Sequence, residues 1–290
     1  MTEYDWKHQY ADLPGLRVHY VRHGQGMPII LQHGWPEFWY TWHKNIPVLA
    51  ENFDIIAPDL RGFGDSDKPS GVSDVQAYVD DLSNLVEHLG LEEFGIVTHD
   101  VGAWIAQAYA LRNTGRLKGL FFMNCPYPGI GKRWNEPDHQ INMWYQQFHQ
   151  MPFAAELLTR DRENAKIYFG YMLNCLTNAD GVFDEVMDDW IDNFMKPGNM
   201  QGGFNWYIAV NELRLKAMRE GPLDVPKIDV PTRVFWGGND PVLKAEWTDN
   251  LGNYFSDLRK VDIVSEAGHF VHYEQPDQAN FEITSFFRSL

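Results

Sequence analysis

The sequence predicts an α/β protein, a mostly parallel central sheet flanked by helices and interrupted by an all-helical segment. Three observations carry this. Short β-rich runs alternate with helical patterns over roughly the first 125 residues. The middle runs are apolar on both faces, as strands buried inside a parallel sheet must be. Strand signal stops after Pro126 and returns only past Pro226.

Taken in order, 16–21 (LRVHYV), 28–33 (PIILQH), 53–58 (FDIIAP), 94–99 (FGIVTH) and 117–124 (LKGLFFMN) read as strands. Between them, 74–89 places Val75, Tyr78, Val79, Leu82, Leu85, Val86 and Leu89 at helical spacing, with Gly90 as the stop. Such a βαβ rhythm implies right-handed crossovers. From 128 to 222 the segments INMWYQQFH, PFAAELL, ENAKIYFGYML, FDEVMDDWIDNFM and NWYIAVNELRLKAM are helical and aromatic-rich. Pro126, Pro128 and Gly129 open this block; Gly221, Pro222 and Pro226 close it. The Gly-rich stretch 197–203 reads as a mobile loop between two of its helices. Strands resume at 232–238 and 259–266, and a last helix follows Pro276. The expected division is a core of 1–127 and 223–290 with a helical cap of 128–222.

Composition narrows the function. The 290 residues are 44% hydrophobic and 22% charged, enough apolar content to build a core. Twenty-four Lys and Arg against 40 Asp and Glu give a net charge of −16, which repels phosphate backbones and argues against nucleic acid. Cys125 and Cys175 cannot supply a disulfide framework or a four-cysteine zinc site. The start has no basic-then-apolar leader, and no run approaches ~18 apolar residues, so neither secretion nor membrane insertion is expected. A cytoplasmic enzyme acting on a small molecule is the expectation.

The sharpest motif is Thr98-His99-Asp100-Val101-Gly102-Ala103, where a strand runs into a helix. Small residues around Asp100 suit a tight turn that raises one side chain out of the sheet. An Asp with an ordinary pKa near ~3.9 is already an anion at neutral pH and needs no base to activate it. A carboxylate attacks amides poorly. Against an alkyl carbon bearing a leaving group it forms an ester that water must then cleave, which points to epoxides, alkyl halides and halo-acids. An Asp capping a helix would be the ordinary explanation of the motif alone. Its companions weigh against that. His33-Gly34-Trp35-Pro36 follows a strand and would set the Trp35 N–H beside that of Val101, two donors for an oxyanion. Asp240 follows the next-to-last strand and His269 the last, so Asp100, Asp240 and His269 appear in the order nucleophile, acid, base. Both fall where open α/β sheets place their sites, at strand C-terminal ends. His269 and His272 alone make a weak metal pattern, and Gly129–Lys132 lacks the residues of a phosphate loop. No metal or cofactor is expected.

With these residues in view, the sequence resembles the α/β-hydrolase superfamily over essentially its whole length. Within it, HGWPEFWYTW (33–42), DLRGFGDSDKP (59–69) and the HDxGA turn are similar to the branch with an Asp nucleophile: epoxide hydrolases, haloalkane dehalogenases and haloacetate dehalogenases. The resemblance implies that Asp100 forms an alkyl-enzyme ester, that His269, oriented by Asp240, activates water, and that the Trp35 and Val101 amides hold the oxyanion. It also leaves room for a homodimer. An epoxide oxygen leaves as an alkoxide and needs a proton; family members supply it from cap tyrosines. Asn205-Trp206-Tyr207 resembles the motif that carries one, and Trp144-Tyr145 is the candidate for the other, although any single Tyr among 13 has packing as its ordinary role. A Tyr pKa near ~10 suits that donation. Trp35, Trp144, Phe148 and Trp206 are the expected substrate contacts.

The rival activities differ at definable positions. Haloacetate dehalogenases carry arginines just after the nucleophile and a cap His near the position of Tyr145; here Val101 and Trp104 stand after Asp100, and the next Arg is Arg112. Haloalkane dehalogenases usually put Trp directly after the nucleophile. Trp35 could still touch a halide. Two departures from the family stand out: Thr98 in place of Gly, which would crowd the turn, and Asn124 at a strand end where some relatives keep the acid. An epoxide hydrolase converting a small apolar epoxide and water to a vicinal diol is the leading expectation. A dehalogenase is the alternative, and a ligand-binding protein without catalysis comes third.

Overall fold

The computed structural model describes residues 4–112 and 115–290. Its eight strands form one sheet in the order β1-β2-β4-β3-β5-β6-β7-β8. They are β1 (His8–Leu13), β2 (Leu16–Gly24), β3 (Pro28–Gln32), β4 (Asp54–Pro58), β5 (Phe94–His99), β6 (Leu117–Met123), β7 (Thr232–Gly237) and β8 (Leu258–Val264). β2 pairs antiparallel with β1 and with β4, and every other pairing is parallel. The seven strands expected from sequence are present; β1 is additional. β1 alternates in burial, but polar Gln9 stands with Ala11 and Leu13 on the inner face and Tyr10 faces out, so its residue types give a weak strand signal.

The central strands show why periodicity vanishes there. Ile29, Ile30, Leu31, Ile55, Ile56, Ile96 and Val97 are all fully buried. Burying one such side chain stabilises by roughly 1.5–3 kcal/mol, and both faces of these strands contribute. Helix Val75–His88 packs Tyr78, Val79, Leu82, Leu85 and Val86 inward, and the Asp74 carboxylate caps it by accepting from the Ala77 N–H at 2.8 Å.

Between β6 and β7 the described residues form helices and turns without a strand, the longest helices being Arg162–Leu176 and Asn199–Glu220. This block rests on loops at the C-terminal ends of the strands. The Trp190 indole donates to the Pro36 carbonyl after β3 at 2.7 Å, and the His269 N–H after β8 donates to the Leu176 carbonyl at 2.7 Å.

The stretch 197–203 corrects the sequence reading. It is not a loop: the helix begins at Asn199, and Gly202 and Gly203 are buried in its first turns. Their smallness serves close approach rather than flexibility. A Cβ on Gly202 would lie 1.9 Å from the Gly62 carbonyl oxygen, and one on Gly203 would lie 2.1 Å from the Trp35 ring. Gly202→Ala should therefore destabilise by about 1–3 kcal/mol through overpacking against backbone. Gly170→Ala, on helix Arg162–Leu176 with nothing within 4 Å of its Cβ, should stabilise by a few tenths to ~1 kcal/mol. Urea unfolding of both variants checks the contrast; equal midpoints would contradict it.

Candidate active site

β5 passes directly into the helix Asp100–Ala110, and Asp100 turns the corner at φ 45°. That left-handed conformation is unfavourable for a residue with a Cβ, so the surroundings must enforce it. They do so by crowding. A Cβ on Gly34 would stand 2.5 Å from Asp100 Cβ, and one on Gly102 would stand 2.5 Å from the His33 carbonyl oxygen and 2.8 Å from Thr98 Oγ1. Thr98 is thus accommodated, fully buried, because position 102 lacks a side chain. The Asp100 carboxylate accepts from the Trp35 N–H at 3.0 Å, and the Val101 N–H also stabilises its charge.

His269 Nε2 lies 3.8 Å from Asp100 Oδ2, and its Nδ1 lies 2.7 Å from Asp240 Oδ2. Asp240 is held from two directions. Its Oδ1 accepts from the Val242 and Leu243 N–H groups at 2.8 and 2.9 Å, and its Oδ2 accepts from Asn124 Nδ2 at 2.7 Å. Asn124, directly after β6, sits at φ 34°, and its Oδ1 accepts from the Gly237 N–H at 2.8 Å. An amide thus occupies the second strand end and supports the carboxylate from there.

Asp100 forms the floor of a cavity walled by Trp104, Tyr145, Trp206, Tyr207 and Leu243. The rings of Tyr145 and Tyr207 stand edge to face, 5.9 Å apart. Of the expected substrate contacts, Trp206 lines this cavity; Trp144 and Phe148 do not. Successive helical residues point about 100° apart, so the turn that aims Tyr145 inward aims Trp144 outward, where it is 36% exposed beside Tyr171. Phe148 packs on Tyr168 and Phe204. Trp35 contributes its backbone; its indole sits among Phe194, Phe204 and His149 outside the cavity lining. A cap histidine does occur one turn beyond Tyr145, contrary to the sequence-based contrast with haloacetate dehalogenases. This residue, His149, is buried, stacked on Phe204 and bonded to the Tyr168 hydroxyl.

Comparison with known proteins agrees with this fold. Residues 27–276 match the family model described as alpha/beta hydrolase fold. The chain belongs to the α/β-hydrolase family. This α/β-hydrolase is 30% identical to the soluble epoxide hydrolase of Corynebacterium sp. (strain C12), over 98% of both chains. It superposes on the structure of epoxide hydrolase CorEH with a TM-score of 0.85 at 28% identity, covering 98% of this chain and 99% of the other. Cfl2 from Burkholderia cenocepacia gives 0.84 at 28% identity, covering 97% and 96%. Among the described residues, no helix is long and apolar enough to cross a membrane.

Charge in the site of this α/β-hydrolase is arranged in alternation. Burial pushes the Asp100 pKa up, opposed by His269, His99 and the Trp35 and Val101 amides, and the net shift is upward. Burial also opposes the Asp240 charge, but the neighbouring His269 outweighs it and holds the carboxyl below its ordinary range. For His269, burial disfavours the cation, yet Asp240, Asp100 and Glu37 together push it up to about 9. Glu37 belongs to a layer that the sequence reading missed. Its carboxylate accepts from the Gly34 N–H at 2.6 Å and lies 2.8 Å from His99 Nδ1 and 3.2 Å from His272 Nε2, all three side chains fully buried. His99 in turn reaches the His269 carbonyl at 2.9 Å. The signal was present in the Glu of HGWPE and the His of HDxGA, but only tertiary structure brings them together.

A raised folded-state pKa means that His269 stabilises the fold below about pH 6.5 and loses that contribution as pH rises through about 9. NMR titration of the His269 ring should centre near 9 in the resting protein. Asp240→Asn should lower it by at least a unit; an unchanged midpoint would show that another carboxylate holds the ring.

Proposed function

We propose that this α/β-hydrolase opens an apolar epoxide by attack of Asp100 and then hydrolyses the resulting ester, with the helical block of 128–222 serving as the cap. The observation that carries this reading is the pair Tyr145 and Tyr207, two tyrosines that line one cavity with Asp100 and lie close enough to interact with its charge. Burial, reinforced for Tyr145 by the Asp100 charge and for Tyr207 by Tyr145 and then Asp100, holds both well above the ordinary tyrosine pKa, so they are protonated donors. An epoxide oxygen requires such a donor, while a halide leaves without one. The names of the relatives at 30% and 28% identity favour the same chemistry.

The steps balance. An Asp100 oxygen attacks an epoxide carbon; the C–O bond breaks, and a tyrosine proton passes to the departing oxygen. Ester formation removes the Asp100 charge, one of the groups that raise the His269 pKa. His269 then returns its proton to the tyrosinate and becomes a neutral base. It takes a proton from water as that water adds to the ester carbonyl, whose oxygen sits at the Trp35 and Val101 N–H groups. Collapse releases the diol and restores the Asp100 carboxylate and the protonated His269. Asp240 holds the ring throughout.

Two variants test the halves separately. His269→Gln should still be alkylated but should hydrolyse the ester slowly, and intact mass spectrometry should show one substrate mass added on the Asp100 peptide. Alkylation elsewhere would sink the assignment. Tyr145→Phe/Tyr207→Phe should slow ester formation by at least the ~10²–10⁴-fold of a general acid, each single variant costing less. Near wild-type ring opening by the double variant would leave these tyrosines as packing residues and remove the support for epoxide chemistry.

A further inference from the structure

The partly buried arginines of the core follow one pattern. Arg22 pairs with Asp54, Arg61 with Asp81, and Arg233 with Asp262 and Glu282. Arg214 departs from it. It lines the same cavity as Asp100, Tyr145 and Tyr207, and no carboxylate among the described residues lies within ion-pairing distance. Its Nη1 donates to Gln146 Oε1 and its Nη2 donates to Asn211 Oδ1 at a long 3.3 Å, both neutral amides. Its Nε–H is buried without an acceptor. A guanidinium has five N–H donors, so most of its capacity is unused.

The chain holds 40 carboxylates, so the absence of one here is not for want of supply. A guanidinium taken partly out of water with neutral partners only is costly, and burial does lower its pKa. The cost is recovered when an anion arrives, because a guanidinium and a carboxylate form paired, charge-assisted hydrogen bonds. The remaining walls near it, Val210, Leu213, Ala217 and Val242, are apolar. Tyr207, Val210, Arg214 and Ala217 lie three, seven and ten residues along one helix and share a face. Seven residues put Arg214 about 10 Å along the axis from Tyr207. The cavity therefore offers a proton donor for the ring oxygen, an apolar stretch, and a cation.

We propose that Arg214 anchors a carboxylate of the substrate, so that the preferred epoxides carry an acid group at the far end of an apolar spacer. This rests on the epoxide-opening reading and adds the substrate class. A competing role for Arg214 is to hold Gln146 and, through it, the neighbouring Tyr145. That role would affect charged and neutral epoxides alike.

The test is a series of ω-epoxy carboxylic acids of graded chain length, each against its methyl ester, on the wild type, Arg214→Gln and Arg214→Lys. The readout is the ratio of kcat/KM for acid over ester. It should exceed one in the wild type at the best chain length. It should fall on the order of 10- to 100-fold in Arg214→Gln, chiefly through KM of the acid, as expected for loss of a hydrogen bond to a charged group, and recover in part in Arg214→Lys. A wild-type ratio of one or less, or a parallel fall for acid and ester, overturns the proposal. If the wild type turns over no epoxide, the epoxide reading fails instead, and the anion site is judged by binding. Tryptophan fluorescence should then report octanoate binding in preference to octanamide, and equal or absent binding of the two overturns it. The wild-type measurements alone decide the matter if the variants fail to fold.

Discussion

A carboxylate forced into the left-handed region at the end of a buried strand is the constraint around which this molecule is organised. Asp100 holds φ 45° in space that Gly34 leaves to its side chain, while Gly102 lets the turn pack against the His33 carbonyl and Thr98. That turn lifts the carboxylate above the sheet at the first residue of a helix, so the first helical N–H groups are at hand. The Trp35 N–H arrives from the neighbouring β3 loop. An anion, its solvating amides and its access to the cavity are thus produced by one local distortion.

Burying that anion sets the requirements for the next layers. His269 supplies the opposite charge, Asp240 sustains His269, and Asn124 with two backbone amides sustains Asp240. Beneath them Glu37, His99 and His272 form a second buried set that ties the β3 loop to the turn at Asp100 and to the loop of His269. Each buried charge has a partner, as a low-dielectric interior demands. Arg214 lies outside this closed system, which makes its lack of a carboxylate informative.

Much of this was legible in the chain itself, for identifiable reasons. The inner strands carry unbroken apolar runs, the helix at Val75–His88 has its period and its cap, and proline and glycine bracket the helical block. The residues around Asp100 announce themselves because a tight turn restricts composition. What escaped has a common cause: it depends on which way a side chain points or on what meets it from far along the sequence. Trp144 and Phe148 flank Tyr145 but diverge from it by the helical rotation. Glycines 202 and 203 looked like a loop because composition alone does not distinguish freedom from close packing. The Glu37 layer joins residues 62 and 173 positions apart along the chain (99 − 37 and 272 − 99).

Asn124 bears on how such a site can change over time. It follows β6 as Asp240 follows β7, and the two side chains share a single 2.7 Å hydrogen bond. An Asn and an Asp of equal size, exchanged between these positions, would carry one negative charge from one strand end to the next without altering volume, net charge or the number of groups in contact. The sheet therefore presents two seats for one acid, with an amide keeping the empty seat occupied. The two strand ends are thus already joined, Asn124 touching the same Asp240 oxygen that meets the His269 imidazole.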